Sequence, residues 1–235
     1  MGIKNNLIGI IGAMDEEIKE YLDNVDELRS EIWNGFEFYR AKMAGKEVLI
    51  VKSGVGKVSA ALICQRMISF YEPEKIIFTG LAGALNKNLE IGDVVISHDC
   101  MYHDLETETL GFTRGAIPFT DYKIFLADEQ LKKFALETDL PNNKVIEGRI
   151  LTGDQFITKA KIKEYAYLID ELRGDAVEME GAAIGHVCTI NKIPFVIART
   201  ISDKADNGAA ADFNKFLDKA AKNSLRIVNT ILNKL

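Results

Sequence analysis

Two carboxylates and a guanidinium fall close together in one stretch of the chain, residues 177–206, VEMEGAAIGHVCTINKIPFVIARTISDKAD. The stretch reads as strand end, helix, strand and polar turn. Glu180 stands where the apolar run 177–179 stops, ahead of a helix over 181–190 that is rich in small residues. A second apolar run, 194–198, carries Phe195, Val196 and Ile197, and Arg199, Ser202 and Asp203 follow at its C-terminal end. In α/β sheets ligands sit at strand ends rather than along strand middles. A carboxylate placed there is paired, solvated or functional. Two carboxylates in different environments, one holding a proton and one not, can run acid and base chemistry near neutral pH. The plainer alternative makes Glu180 a cap for its helix and pairs Asp203 with Arg199. Both strand ends together, beside further polar strand ends elsewhere, favour a site.

The elements that must position these groups begin with a short strand over 7–11. Gly12-Ala13-Met14 turns out of it, and Asp15, Glu16 and Glu17 open a helix whose positive end suits them. Glu17 needs no further role on that reading alone. Residues 36–43 and 47–52 read as a hairpin around Ala44-Gly45. Ser53-Gly54-Val55-Gly56-Lys57 is a tight turn into a helix reaching about Phe70, and its glycines allow close backbone approach to a ligand. Neither this turn nor GIIGAM has the spacing of a nucleotide-binding loop.

Residues 75–79 form a buried strand, with Gly80-Leu81-Ala82-Gly83-Ala84 expected to turn out of it. That turn either offers backbone amides to a ligand or is a simple β-turn. Gly92-Asp93 opens a strand over 94–97, and His98, Tyr102, His103 and Asp104 cluster after it. Their spacing matches no zinc pattern, so no metal is expected. Residues 105–123 lack periodicity and hold Gly111, Gly115 and Pro118, a long loop expected to be functional or to pack on a partner. A helix over 128–136 and a strand over 145–152 follow. Phe156, in the Gly153–Ile157 segment beyond that strand, either stacks on a flat ligand or plugs the core edge. The last element, 212–232, is an amphipathic helix whose first residues include Phe213, within reach of the site.

The chain of 235 residues is 47% hydrophobic and 27% charged, enough for one well-filled domain over 1–235. A net charge of −6 and no long run of Lys and Arg argue against a surface that tracks nucleic acid. Cys64, Cys100 and Cys188 are an odd number without metal spacing and read as reduced and buried, as in a cytoplasm. Cys188 reads as core rather than nucleophile. The apolar run 7–14 is too short for a signal or a membrane span. Gly2 is not a myristoylation site, because position 6 is Asn.

Eight segments, taken in order, resemble the bacterial 5′-methylthioadenosine/S-adenosylhomocysteine nucleosidases of the purine nucleoside phosphorylase superfamily. They are IGIIGAMDEEI (8–18), KSGVGK (52–57), TGLAGAL (79–85), IGDVVIS (91–97), YHD (102–104), GDQFI (153–157), VEME (177–180) and PFVIARTISD (194–203). The resemblance implies a single-domain, three-layer α/β/α fold with a twisted mixed sheet. It implies hydrolysis of the N-glycosidic bond of methylthioadenosine and adenosylhomocysteine, with 5′-deoxyadenosine a further substrate. Adenine and the 5-substituted ribose would be released, within methionine salvage and recycling of S-adenosylmethionine by-products. It further implies a cytoplasmic homodimer without cofactor, metal, membrane or nucleic acid.

By position, the resemblance makes Glu17 the carboxylate that activates water and Asp203 the acid that assists adenine departure at N7. Glu180 holds the ribose hydroxyls, Met179 packs on the sugar, and Arg199 sits at the ribose and water side. Ile157 reads the adenine edge through its backbone and Phe156 stacks on the base. Val55, Met14, Ala82, Gly83, Ser202 and Phe213 complete the substrate pocket, and Leu110 and Pro118 come from the neighbouring subunit to cover the 5′ group. Leu81 stands where many relatives carry Ser, Ala84 where they carry Gly, and Leu110 where they carry an aromatic residue. Phosphorylase relatives place an Arg on the strand that ends near Gly80; its absence here favours water over phosphate as nucleophile. The alternatives are a phosphorolytic relative, a hydrolase for another adenine nucleoside such as aminodeoxyfutalosine, and a nucleoside-binding protein without turnover. A pure binder would have no need for both Glu17 and Asp203.

Overall fold

The computed structural model describes residues 6–157, 164–203 and 209–235, the side chains of 209–215 excepted. Ten strands and six helices are built from them. In chain order they are β1 (Ile8–Gly12), α1 (Asp15–Leu22), β2 (Asp26–Trp33), β3 (Phe36–Met43), β4 (Lys46–Lys52), α2 (Lys57–Tyr71), β5 (Lys75–Ala84) and β6 (Val94–Tyr102). Then come β7 (Phe125–Leu126), α3 (Glu129–Leu136), β8 (Val145–Thr152), α4 (Tyr167–Asp170), β9 (Ala176–Glu178), α5 (Gly181–Asn191), β10 (Phe195–Asp203) and α6 (Ala209–Lys234).

All the strands join one mixed sheet in the order β10-β6-β8-β9-β5-β1-β4-β3-β2, with β7 on β6. β5 also pairs with β10, so β5, β10, β6, β8 and β9 close into a ring that an open sheet would lack. Apolar side chains fill both faces. Ala60, Ile63, Cys64 and Met67 of α2 and Ala183, Ile184 and Cys188 of α5 bury one face. Ile18 and Tyr21 of α1, Leu131 and Ala135 of α3, and Ile227, Val228 and Ile231 of α6 bury the other. The helices thus form outer layers on both sides of the sheet. Cys64 and Cys188 meet in the α2–α5 seam with sulfurs 3.7 Å apart, and all three cysteines are free and buried. No described helix is long and apolar enough to cross a membrane.

Beyond β6, which runs on past Ser97 to take in His98 and Tyr102, and the short unforeseen β7 and α4, three elements depart from the sequence reading. The strand expected to end at Thr79 continues through Gly80-Leu81-Ala82-Gly83-Ala84, and β10 likewise runs through Arg199, Ser202 and Asp203. The reason is mutual pairing: Arg199 opposes Gly80, Thr200 opposes Leu81 and Asp203 opposes Gly83, while Gly83 also opposes Val177 of β9. Backbone groups expected to turn towards a ligand are instead engaged in ladders, apart from the Leu81 amide, which donates to Glu17. Gly80 matters for close approach, because a Cβ there would collide with the Arg199 guanidinium and the Glu17 carboxylate. The third departure is β2, whose sequence DELRSEIW carries no apolar alternation. It is almost wholly exposed and pairs only with β3, and its charges blunt a sheet edge.

Candidate active site

Glu17 sits in the first turn of α1, where its carboxylate folds back on the chain. One oxygen accepts from the amides of Ala13 at 2.5 Å and Met14 at 3.1 Å, and the other accepts from the Leu81 amide of β5 at 3.1 Å. The side chain therefore does more than complement a dipole: it ties α1 to β5 at Leu81. Burial pushes its pKa above the usual carboxylate value, against the opposing pull of Arg199 and the three amides.

On β10 the Arg199 side chain is fully buried, with its guanidinium 3.9 Å from the Phe78 ring centre. Nη2 pairs with Glu178 and lies 3.4 Å from Glu180. The pairing with Asp203 considered from sequence gives way to this one. The register of β10 slips at Ser202, between Ile201 opposite Ala82 and Asp203 opposite Gly83. A regular strand sends neighbours to opposite faces, but a bulge re-aims them. Ser202 and Asp203 consequently both line the same cavity, with the Ser202 hydroxyl donating to Asp203 at 2.8 Å.

Glu178 is the buried cavity-wall carboxylate that sequence reasoning missed. It ends β9, is buried, and accepts from the Thr152 hydroxyl and the amides of Glu180 and Gly181, the last at 2.8 Å. The capping role considered for Glu180 thus belongs to Glu178, which meets the unpaired amides at the start of α5. The Glu180 carboxylate makes no cap; it accepts from the Gly56 amide at 2.8 Å. Burial, and then the neighbouring Glu178 charge, push its pKa up to about 8. VEME does mark a carboxylate inside a strand, which when buried needs a buried cation, but only the structure shows that Arg199 supplies it to Glu178.

These groups surround a cavity of about 210 Å³. Its wall includes Met14, Glu17, Val55, Ala82, Gly83, Phe156, Ile157, Met179, Glu180, Ser202 and Asp203, all expected from sequence. Ala13, Leu81, Gln155, Val177 and Glu178 join them. Arg199 does not line the cavity; it stands behind the carboxylates. Among the described residues no Lys or Arg forms part of the wall. Phe156 is 46% and Val55 is 55% exposed, so Phe156 stands at the mouth rather than plugging the core edge. Phe213 belongs to α6, but its side chain lies outside the described residues.

Leu110 and Pro118 do not reach this cavity. Leu110 ends a 3-10 turn and is 63% exposed. The loop that carries it is ordered around Arg114, which pairs with Glu106 at 2.9 Å and Glu171 at 3.4 Å and lies over the Tyr167 ring. The polar cluster expected after 94–97 separates: His98 and Tyr102 lie within β6, His103 is buried with Nδ1 3.2 Å from the Tyr167 hydroxyl, and Asp104 turns to Lys57.

Residues 7–233 match the model of the phosphorylase superfamily. A 5′-methylthioadenosine/S-adenosylhomocysteine nucleosidase of Bacillus cereus is 38% identical over 97% of this chain and 99% of its own length. The crystal structure of a nucleosidase of the same name from Colwellia psychrerythraea, in complex with adenine, superposes with a TM-score of 0.93 at 34% identity, covering 100% of this chain and 98% of the other. A futalosine hydrolase of Helicobacter pylori superposes with a TM-score of 0.90 at 32% identity, over 98% and 99% of the two chains. With likeness over its whole length in sequence and in structure, the chain belongs to the phosphorylase superfamily and, within it, to the 5′-methylthioadenosine/S-adenosylhomocysteine nucleosidase family.

Proposed function

We propose that this protein hydrolyses the N-glycosidic bond of 5′-methylthioadenosine and S-adenosylhomocysteine, releasing adenine and the 5-substituted ribose. The observation that supports this most is the placement of Glu17, Glu180 and Asp203 around one otherwise largely apolar cavity with an aromatic side chain at its mouth. Glu17 takes a proton from water as the water oxygen bonds to C1′. The C1′–N9 bond breaks, and Asp203 gives its proton to N7, so adenine leaves neutral. The Ser202 hydroxyl steers that carboxyl. Positive charge developing on the sugar is favoured by the surrounding carboxylates, held in place before the reaction begins. Glu180 accepts from the ribose hydroxyls, Met179 packs on the sugar, Phe156 stacks on adenine and the Ile157 backbone reads its edge. Arg199 acts from behind, fixing Glu178 and Glu180.

Phosphate as nucleophile would require cationic groups at the sugar, and the described wall holds none. Leu81 adds an apolar side chain beside Glu17 instead. The active form is a cytoplasmic homodimer in which Leu110 and Pro118 of the long loop cover the partner's 5′ group. This places the exposed Leu110 and Phe119 against apolar surface, where each Å² removed from water contributes about 25 cal/mol. The enzyme works without metal or cofactor in methionine salvage and the recycling of S-adenosylmethionine by-products, with 5′-deoxyadenosine as a further substrate. The likeness to a futalosine hydrolase at the same TM-score range supports a second reading, in which aminodeoxyfutalosine is a substrate of the same chemistry.

Adenine release from these four nucleosides, followed side by side with and without phosphate, tests the reading. Methylthioadenosine and adenosylhomocysteine should turn over equally in both buffers and give the free sugar. Strict phosphate dependence with a ribose 1-phosphate product overturns hydrolysis. A fully active monomer by light scattering at micromolar concentration overturns the shared site.

A further inference from the structure

Lys57 follows directly on the turn that carries Val55 and Gly56, and it opens α2. Its Nζ lies 2.7 Å from both carboxylate oxygens of Asp104, just beyond β6, and 3.5 Å from Asp154, just beyond β8. Backbone groups close the knot. The Lys57 amide donates to Asp154 at 2.9 Å, and the Asp154 amide donates to Asp104 at 2.9 Å. Three chain segments from separate strand ends are thereby fastened at one point. None of the three side chains lines the cavity.

We propose that Lys57, Asp104 and Asp154 are positioning residues for nucleoside binding, a clamp that sets the gap between Val55 and Phe156 and aims the Gly56 amide at Glu180. The inference rests on the nucleosidase reading of the site. Gln155 and Phe156 follow Asp154 without a spacer, so the clamp fixes where the mouth's aromatic side chain begins. Gly56 donates to Glu180 at 2.8 Å from the residue next to Lys57. Exposed ion pairs of this kind ordinarily contribute little. Here the Lys57 and Asp104 side chains are only 24% and 19% exposed, and the carboxylates accept from backbone amides as well. Although burial opposes it, the Lys57 ammonium and the Asp154 amide hold the Asp104 carboxyl below its usual range. Binding groups carried on turns must otherwise be ordered when the ligand arrives, which costs affinity.

The test compares Lys57→Met, Asp104→Asn, their double variant, and Lys57→Arg with wild type. Adenine affinity is read by calorimetry, and kcat and KM by adenine release from methylthioadenosine. Each single change should weaken adenine binding and raise KM roughly tenfold, with kcat within a few-fold. The double variant should be no worse than the singles, because the partners act as a unit. Lys57→Arg should recover part of the loss. Should Lys57→Met fail to fold, Asp154→Asn at the 49% exposed position gives the same readout. KM and adenine affinity within twofold of wild type, with only a lower melting temperature, overturn the clamp; so does a fall in kcat at unchanged KM. A wild type that binds adenine yet releases none from any nucleoside counts against the nucleosidase reading instead, and calorimetry then judges the clamp by itself.

Discussion

At the carboxylate end of the cavity the charged groups stand on a strand, in a first helical turn and at a helix N-cap; at the mouth the side chains stand on turns. Glu17, Glu180 and Asp203 are at most 5% exposed, whereas Val55 and Phe156 are about half exposed. The buried end is held by the amides of Ala13, Met14, Leu81 and Gly56 and by an arginine locked behind it. The mouth is held by the Lys57–Asp104–Asp154 knot. The difference follows from what each end must do. Charges that act on a developing cation are most effective when fixed in a poorly solvated setting. A flat base must enter and leave, so its contacts stay near solvent. Damage to Glu17 or Asp203 should appear in kcat, damage to the mouth in KM, and damage to Glu180, which holds the ribose, in both.

The largest effect is expected for Asp203→Asn, which keeps the shape and removes the transferable proton. kcat should fall by about 10²–10⁴-fold, with adenine affinity within a few-fold of wild type. Glu17→Gln should behave alike through loss of the base. Turnover near wild type in either, with only a small loss of thermal stability, would return Asp203 or Glu17 to a purely structural role and break the contrast.

Phe156→Ala should do the opposite, raising KM about tenfold or more at nearly constant kcat, since a base–aromatic stack is worth about 1–3 kcal/mol. A kcat loss without a KM change would move Phe156 to the chemical end. Gly80→Ala sharpens the picture of close packing. The added methyl group meets Arg199 and Glu17, and overpacking of this kind costs about 1–3 kcal/mol, readable by urea denaturation. An unchanged midpoint would mean that the carboxylate end is looser than its contacts imply.

The smallest expected effect concerns Glu180 and pH. Its folded pKa of about 8 stands above the ordinary value of 4.5. A raised carboxylate pKa gives stability that is present below the unfolded value and lost as pH rises through the folded one. Without ligand, wild type should therefore lose melting temperature relative to Glu180→Gln between about pH 5 and 8. The ribose hydroxyls donate to the ionised form, so nucleoside affinity of the wild type should rise over the same interval. A difference in melting temperature that stays flat with pH would show that Glu180 is solvated rather than buried.

Much of this was readable in the chain because the site lies where apolar runs stop. Glu17 after the run 7–14 and Asp203 beyond the run 194–198 are marked by that break, and Glu180 closes the VEME segment ahead of a small-residue helix. The resemblance then attached roles to them. Strand lengths were less readable: Gly80, Gly83 and the polar residues of 199–203 look like turn material, yet β5 and β10 extend each other. β2 was invisible, since an edge strand needs no apolar alternation to pair with β3.

The resemblance implied the three layers; by itself, the sequence determined the alternation of strands and helices, the carboxylates where apolar runs stop, the glycine turn at 53–57 and the aperiodic loop around Leu110. Each follows from local pattern, which neighbouring residues alone can establish. Closure of β5 with β10 was decided only by the tertiary structure. So were the bulge that turns both Ser202 and Asp203 to the cavity, and the choice between two glutamates two residues apart. Glu178 took the closer contact with Arg199 and the helix cap, and Glu180 turned to the Gly56 amide at the cavity wall. Burial and partnership of a charge depend on groups far away in sequence, here Thr152, Arg199 and Gly56, and no spacing within VEME specifies which carboxylate will meet them.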